Sequence, residues 1–349
     1  MRKLLFLLCC GAICLAQPGP PGPDLSIDGG ARARVIEKLL EALEKGYVFP
    51  ETAEKMNQSI RARLAAKEYD SISSAREFAK ILTSDLQEVS KDKHLRVNYH
   101  PEKIPERGPG GPPPPEERQR MRVQMSRDNF GFEKVERLRG NVGYLDLRGF
   151  LPAEFSAETA AAAMNFLAYT DALIIDLRQN GGGDPATVAF LSSYLFDDTV
   201  HLNDLYFRPA NSTRQWWTLP HVPGHRYGKD KPVWVLISNR TFSAAEEFSY
   251  NLQNLKRATL VGETTRGGAH PGGMARLDDH FGAFLPSGRA INPISKTNWE
   301  GTGVSPDIRT PADQALKTAH LEALRRILER ETDERRKPAM REHIAALEK

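Results

Sequence analysis

The chain has 349 residues, a formal net charge of +3, 40% hydrophobic and 27% charged residues. This length is sufficient for one large domain, or for a large domain with a small one, around a substantial core. The near balance of charge leaves no general electrostatic footprint for nucleic acid, so we predict no nucleic-acid partner. Any other partner has to be argued from a local site.

The N-terminal segment is typical of a secretory signal peptide. Arg2 and Lys3 precede the apolar run LLFLLCCGAICLA, and the Pro/Gly-rich stretch QPGPPGPD follows it. This pattern predicts a signal peptide over residues 1–16 that is cleaved after Ala16. The run is short for a bilayer span and no later segment is apolar for long enough. We therefore expect a soluble periplasmic or secreted protein without a membrane span.

All of the cysteines lie within this segment, at Cys9, Cys10 and Cys14. The mature chain would then have none, which excludes disulfides, thiolate metal sites and a cysteine nucleophile. In an alternative interpretation, one of these cysteines is kept as the lipid anchor of a lipoprotein. The residues around them lack the usual small-residue pattern, which favours the signal peptide.

The next part of the chain is predicted to be helical. Residues 17–30 form a Pro/Gly-rich flexible tether. Apolar residues then recur at helical spacing in three segments, ARARVIEKLLEALEKGYVF, AEKMNQSIRARLAAKEY and SAREFAKILTSDLQEVS. They predict a small helical bundle over residues 31–92. A short strand follows in DKHLRVNYH, and residues 101–120 have the composition of a solvated Pro/Gly-rich linker.

From residue 130 onward, strand patterns alternate with helix patterns. The strands are NVGYLDLRGF, ALIIDLR, PVWVLIS and ATLVGE, and the helices between them are AAAAMNFL, PATVAFLSSYLF and SAAEEFSYNLQNL. This alternation predicts a largely parallel α/β core with helices on its faces. Functional residues are expected at the carboxyl ends of the strands, where DLRQNGGG and SNRTFS lie. Residues 311–349 are predicted to form a charged C-terminal helix.

Ser243 stands between a strand and a helix. The amides and the dipole of a helix N-terminus favour developing negative charge, which suits a nucleophile. A serine before a helix, with a glutamate a few residues later, also resembles a capping box. Taken alone, this segment favours the helix cap over the nucleophile.

Three consecutive glycines, at residues 181–183, follow the strand ALIIDLR. Glycines let the backbone approach a ligand closely and present amides in unusual conformations. Neither a GK[ST] sequence nor GxGxxG spacing is present, which argues against a phosphate cradle. An oxyanion hole uses the same physics, and a plain tight turn is the remaining alternative.

Two histidines and a carboxylate complete the candidates. His94 lies in KDKHLRV, and Glu300 lies in the turn-rich segment NWEGTGV. The segment GETTRGGAHPGG carries Arg266 and His270, which could line a substrate groove or supply a second histidine. A lone histidine is more often structural than catalytic. No HExxH or similar spacing is present, so we predict no metal site and no cofactor.

Five motifs in order resemble the tail-specific (C-terminal processing) serine peptidase family. They are GYLDLRGF, ALIIDLRQNGGGD, PVWVLISNRTFSAAEEF, ATLVGETTRGGAHPGG and NWEGTGVSPDI, within residues 130–310. The resemblance is greatest to the branch with the tricorn protease core and the interphotoreceptor retinoid-binding protein modules. It implies an α/β, crotonase-like (ββα) catalytic domain over 130–310, a peptide or protein substrate, and Ser243 as the nucleophile.

The resemblance also bears on the general base. In the processing branch a lysine after GETT is the base, and Gly268 stands at that position here. The tricorn-like branch implies His94 as the base and Glu300 as the carboxylate that orients it. Histidine suits this role because its pKa lies near neutrality. In place of the serine that precedes the histidine in that branch, this chain has Lys93.

The amides of Gly182, Gly183 and Ala244 are the expected oxyanion donors. An alternative function is a non-catalytic module that binds an apolar ligand on the same fold, as the retinoid-binding relatives suggest. An acyl-CoA enzyme of crotonase-like fold is a further alternative, which the predicted export disfavours. No segment resembles a PDZ domain, and the sequence leaves the substrate and the oligomeric state open.

Overall fold

The computed structural model describes residues 22–106 and 113–348 of the chain. The predicted signal peptide, residues 1–16, lies outside the described residues. The first part of the predicted tether (17–30) and the middle of the predicted linker (101–120) also lie outside them.

The described residues form helices and strands in the following order. The helices are α1 (Gly29–Gly46), α2 (Pro50–Ala65), α3 (Ala75–Ser90), α4 (Pro115–Arg127), α5 (Ala153–Leu167), α6 (Pro185–Ser192), α7 (Ala244–Asn254), α8 (Ala315–Arg330) and α9 (Lys337–Glu348). The strands are β1 (Arg96–Tyr99), β2 (Phe132–Leu138), β3 (Val142–Leu147), β4 (Ala172–Asp176), β5 (His201–Phe207), β6 (Ser212–Trp217), β7 (Val233–Ile237), β8 (Thr259–Gly262), β9 (Gly272–Arg276), β10 (Phe281–Pro286), β11 (Gly288–Ile291) and β12 (Ile308–Arg309).

The central sheet has the strand order β12-β8-β7-β4-β3-β2. All of its neighbouring strands are parallel except the edge strand β2, which pairs antiparallel with β3. Strands β3, β4 and β7 are buried along their whole length, which explains their continuous apolar sequences. Helices α5, α6 and α7 belong to the core on one face, and α8 covers the other. The predicted parallel α/β core is confirmed.

The N-terminal helical region packs on a second, smaller sheet. This antiparallel sheet has the order β1-β10-β9, and Arg96 of β1 pairs with Phe284 of β10. The apolar faces of α1, α2 and α3 share one core cluster with β1 and β10. Since β10 comes from the C-terminal half, this sheet fixes residues near position 94 against the rest of the molecule.

A third sheet, antiparallel with the order β11-β5-β6, was not predicted from the sequence. In the C-terminal region, residues 311–349, the structure has the two helices α8 and α9 where one was predicted. The chain leaves the helix at Glu331, whose backbone is extended, and Asp333 then accepts hydrogen bonds from Arg335. Short polar side chains of this kind favour turns over a continued helix.

Helix α4 begins inside the segment predicted as the linker. Pro115 occupies the first turn, where a missing amide hydrogen costs nothing, and Glu116 and Glu117 complement the helix dipole. Within residues 22–106 and 113–348, no helix is both long and apolar enough to cross a bilayer.

Candidate active site

Ser243 lies in the turn between β7 and α7, at the carboxyl edge of the central sheet. Its φ and ψ are 56° and −121°, a positive-φ conformation that a residue with a side chain adopts at a cost. A serine that only caps a helix usually has an extended backbone. The backbone strain at Ser243 therefore exceeds what capping requires, and such strain is typical of residues at functional sites.

The buried carboxylate of Glu246 holds this turn in place. It accepts hydrogen bonds from Ser243 N at 2.8 Å, Gly268 N at 2.9 Å, Gly267 N at 2.6 Å and Thr265 Oγ1 at 2.5 Å. Burial raises the pKa of Glu246 to about 7, although these four donors act in the opposite direction. The side chain thus joins the serine turn to residues 264–271, which we call the 264–271 loop.

The glycine loop lies directly against the serine. A Cβ atom on Gly182, whose φ is +109°, would lie 2.7 Å from Ser243 Cβ and 3.1 Å from Ala244 N. A Cβ on Gly183, with φ +143°, would lie 2.0 Å from Phe150 O. Both positions therefore need glycine, and the plain-turn interpretation does not account for this close approach.

The three predicted oxyanion donors are placed differently. Gly182 N donates a hydrogen bond to Asn180 Oδ1 at 2.9 Å, so that amide already has an acceptor. Within the described part of the chain, the amides of Gly183 and Ala244 have none. Of the three predicted donors, these two amides are the ones available to a ligand beside Ser243.

His94 is buried, with 2% of its surface exposed, and lines the same cavity as Ser243. Its ring lies 4.3 Å from that of Phe242 and 5.9 Å from that of Phe284, between ring centroids. Neither ring nitrogen has a hydrogen-bond partner among the described residues, so the ring is not hydrogen-bonded to Ser243. Burial lowers the pKa of His94 to about 4, and the imidazole is neutral at physiological pH.

Gly268 leaves the space that His94 occupies. A Cβ atom at this position would lie 2.3 Å from Phe242 Cε2 and 2.7 Å from His94 Cε1. Since this is where the processing branch is expected to have its lysine, a side chain here and the observed His94 ring exclude each other.

Asp92, His270 and Glu300 form a cluster beside these residues. His270 Nδ1 lies 2.8 Å from Asp92 Oδ2 and 3.5 Å from Glu300 Oε2. Asp92 also accepts hydrogen bonds from Tyr47 Oη at 3.2 Å and from His94 N at 3.0 Å. Burial opposes ionisation of Asp92, but the hydrogen bond from His270 and the neighbouring imidazoles hold its pKa below the usual value.

The structure brings Glu300 to His270 and not to the His94 ring. Glu300 Oε2 also accepts a hydrogen bond from Ala269 N, and burial raises the pKa of this carboxyl. The role of Glu300 in orienting His94 therefore stays a prediction. The residue that touches both histidines is Asp92, through the ring of His270 and the backbone of His94.

The same cluster offers the only candidate metal ligands among the residues that the structure describes. The ligand atoms of Asp92, His270 and Glu300 lie within 4.8 Å of one another. The carboxylate oxygens in this group already have hydrogen-bond partners. Asp92 Oδ2 is hydrogen-bonded to Tyr47 Oη and to His270, and Glu300 Oε2 accepts a hydrogen bond from Ala269 N. His270 Nδ1 thus lies within 3.5 Å of an oxygen of each carboxylate.

These residues surround a cavity of about 460 Å³, which we call the active-site cavity. This volume is in the range of ligand-binding clefts. Its walls include the serine and both histidines, and the residues lining it are Lys93, His94, Arg96, Gln179, Gly181, Gly183, Pro185, Leu205, Asn239, Arg240, Phe242, Ser243, Ala244, Glu247, Arg266, Gly268, Ala269, His270, Pro271, Gly272, Phe284, Ala290 and Trp299.

The sequence pattern does not reveal Asp92, Asn180 or the wider role of Glu246. The one available signal for Asp92 is its position two residues before His94. Glu246 is the glutamate of the capping-box pattern, and its hydrogen bond to Ser243 N matches that pattern. The contacts of Glu246 with the 264–271 loop depend on the tertiary fold, so local sequence could not reveal them.

The comparisons with known proteins identify the family of this chain. The model of peptidase family S41 matches residues 141–310, and the model of the N-terminal domain of Peptidase_S41 in eukaryotic IRBP matches residues 30–127. The chain belongs to peptidase family S41. The predicted resemblance to this family is confirmed.

Two curated relatives are processing peptidases. The chain is 26% identical over 197 residues to a carboxy-terminal-processing protease of Bartonella bacilliformis, covering 53% of this chain and 43% of that protein. It is 27% identical over 202 residues to a chloroplastic C-terminal processing peptidase of Tetradesmus obliquus, covering 54% of this chain and 38% of that protein. The chain thus spans about two fifths of the length of these relatives.

Solved structures support the fold. A lipoprotein from Streptococcus agalactiae has a TM-score of 0.56 at 15% identity, covering 89% of this chain and 100% of that one. The tricorn protease has a TM-score of 0.50 at 12% identity, covering 91% of this chain and 37% of that one. The predicted fold class, with its N-terminal helical region, is confirmed.

Gly268→Ala tests the packing of His94. The added methyl group has to displace the ring of His94 or Phe242, so we expect peptidase kcat/KM to fall by roughly 10- to 100-fold. The matched control is Gly273→Ala, because a Cβ at Gly273 has no atom within 4 Å. Equal activity of the two variants in a peptide hydrolysis assay would contradict the account of this position.

Glu247 gives a prediction for stability. It is 4% exposed, its Oε1 has no partner among the described residues, and burial raises its pKa to about 7 from an ordinary value of 4.5. Between these pH values the folded chain keeps a proton that the unfolded chain releases, so stability falls as the pH rises. In Glu247→Gln, the decrease in the free energy of unfolding between pH 5 and pH 8 should be smaller than in wild type by about 1–3 kcal/mol.

Denaturant unfolding at the two pH values measures this difference. The control is Glu158→Gln, because Glu158 is exposed on α5. An identical pH dependence of unfolding in wild type, Glu247→Gln and Glu158→Gln would show that Glu247 is ionised in the folded protein.

Proposed function

We propose that this chain is a serine peptidase in which Ser243 attacks the peptide carbonyl and His94 is the general base. The observation that carries the proposal is the backbone strain at Ser243, at a helix N-terminus, in one cavity with a neutral histidine whose ring nitrogens have no described partner. Functional sites are where such strain and such buried polar groups concentrate.

The chemistry follows from these groups. His94 takes the Oγ proton as Oγ bonds to the carbonyl carbon, and the carbonyl oxygen gains the negative charge. The amides of Gly183 and Ala244 would stabilise that oxygen. His94 then gives its proton to the leaving amine as the peptide bond breaks. Water, activated by His94, hydrolyses the acyl ester and restores Ser243.

Glu300 and Gly182 have supporting roles in this proposal. Glu300 binds Ala269 N and lies near His270, so it would position the 264–271 loop on which Gly268 faces His94. Gly182 would contribute its lack of a side chain, since its amide is engaged by Asn180. His270 is the second candidate base, because it lines the same cavity and is hydrogen-bonded to Asp92.

Substitution of the serine and of each histidine tests the assignment. We expect Ser243→Ala and His94→Gln to lower kcat/KM for peptides by at least about 10³-fold, and Ser243→Ala to abolish labelling by a serine-directed phosphonate. His270→Gln should retain labelling at a reduced rate. The controls are Ser212→Ala and His221→Gln, whose residues are exposed, and thermal unfolding confirms that each variant folds.

Two outcomes would contradict the assignment. If His270→Gln loses all activity while His94→Gln retains it, His270 is the base. If wild type is neither labelled nor active, the nucleophile assignment fails, and tight binding of an apolar probe in the cavity would then favour the non-catalytic module.

We further propose that the protein is exported. The motivation is the segment over residues 1–16, with Arg2 and Lys3 before its apolar run. N-terminal sequencing of the protein recovered from a bacterial periplasmic fraction should give Gln17 as the first residue. An N-terminus at Met1, or a lipid-modified cysteine found by mass spectrometry, would contradict the predicted cleavage.

A further inference from the structure

The active-site cavity has a cationic wall. Four of its lining residues carry a positive charge, Lys93, Arg96, Arg240 and Arg266. We call these four residues the basic wall. They come from the strand region after α3, from the serine turn and from the 264–271 loop, so the fold brings them together from distant parts of the sequence.

Two members of the basic wall are already engaged. Arg240 Nη1 donates a hydrogen bond to Gln179 Oε1 at 2.7 Å, and Lys93 Nζ donates to the carbonyl of Arg266. Neither partner is a carboxylate, so neither contact neutralises the charge.

The other two, Arg96 and Arg266, have no hydrogen-bonded or ion-paired carboxylate within the described residues. Arg96 is partly buried, and burial together with the charge of Arg266 lowers its pKa. The guanidinium carbon of Arg266 lies 5.0 Å from the ring centroid of Phe242, the residue before Ser243. Two arginines, the partly buried Arg96 and the exposed Arg266, thus line the cavity that holds Ser243, and neither has a carboxylate partner among the described residues.

The cavity offers little negative charge to balance them. Among its lining residues in the described part of the chain, Glu247 is the only carboxylic acid. It is buried, and its pKa of about 7 leaves it substantially protonated near neutral pH. Asp92 is engaged by His270, Tyr47 and His94 N.

We propose that Arg96 and Arg266 bind a carboxylate group of the peptide substrate beside Ser243. This inference rests on the proposed function and names the substrate class of the same site. A guanidinium presents paired N–H donors that match a carboxylate, and such charge-assisted bonds are stronger than neutral ones. The carboxylate can come from an aspartate or glutamate side chain or from a peptide C-terminus, because both present the same group.

Substrate charge would also assist the base. Besides burial, the positive charges of Arg96 and Arg266 contribute to the low pKa of His94. A bound carboxylate offsets those charges and makes His94 a stronger proton acceptor. Acidic peptides should therefore react faster in the chemical step as well as bind more tightly.

Binding to the Ser243→Ala variant tests the inference without turnover. The probes are acetylated, amidated alanine–leucine octapeptides with one Glu or one Gln at each position in turn, and a neutral octapeptide with a free or an amidated C-terminus. Isothermal calorimetry should show at least one carboxylate-bearing peptide binding roughly tenfold more tightly than its neutral counterpart. The Glu scan identifies a side-chain carboxylate, and the free-acid peptide identifies a terminal one.

The preference should depend on the two arginines. In the Ser243→Ala background, adding Arg96→Gln and Arg266→Gln should remove the tenfold difference and leave binding of the neutral peptides within about twofold. The control is Arg61→Gln, because Arg61 is exposed on α2, away from the cavity. Absence of any carboxylate preference, or a preference that survives loss of both arginines, would overturn the inference.

Hydrolysis by the enzyme with Ser243 intact separates this inference from the proposed function. Cleavage of neutral and acidic peptides at equal rates would overturn the carboxylate site and leave the peptidase assignment standing. Carboxylate-dependent binding to a chain that neither cleaves peptides nor reacts with the phosphonate would overturn the peptidase assignment and leave the carboxylate site standing.

Discussion

The buried carboxylate of Glu246 is the interaction on which the site depends. This one side chain accepts hydrogen bonds from four donors, so it fixes the serine turn and the 264–271 loop together. The donors are the amides of Ser243, Gly267 and Gly268 and the hydroxyl of Thr265. A buried acid of this kind is stable only while its donors are in place. The strained, positive-φ backbone at Ser243 persists because the surrounding structure over-determines it. The hydrogen bond that caps helix α7 therefore belongs to the same set of bonds that holds the proposed nucleophile in place.

The second constraint comes from the N-terminal region. Strand β1 pairs with β10 of the C-terminal half, and α1–α3 pack on that sheet, which carries His94 to the cavity. Asp92 holds His94 in this position through a hydrogen bond from His94 N. It is also hydrogen-bonded to the ring of His270 and to the hydroxyl of Tyr47. The family model of the N-terminal domain matches residues 30–127, which include α1 from its second residue, α2, α3 and β1. The peptidase model matches residues 141–310, which include β10. The N-terminal segment thus contributes His94, the proposed base, to the cavity that holds Ser243.

Much of this arrangement could be predicted from the sequence, for physical reasons. Continuous apolar strands such as β4 and β7, followed by helices, reveal a parallel sheet, and a parallel sheet places Ser243 and the glycine triplet at one edge. The pairings of β1 with β10 and of β11 with β5 join distant segments, and no local pattern encodes them. The same limit applies to side chains. The sequence placed Glu300 and His94 together by resemblance, whereas the fold brings Glu300 to His270. Asp92 was missed since its partners lie up to 178 positions away.

A crystal structure of the protein with a peptidyl boronate in the active-site cavity would show directly whether Ser243 is the nucleophile and His94 its base. We expect a covalent bond between Ser243 Oγ and boron, a nitrogen of His94 within about 3.2 Å of a boronate or serine oxygen, and a boronate oxygen facing the amides of Gly183 and Ala244. An adduct on another residue, or one at Ser243 that contacts His270 while His94 stays apart from it, would contradict the proposed mechanism.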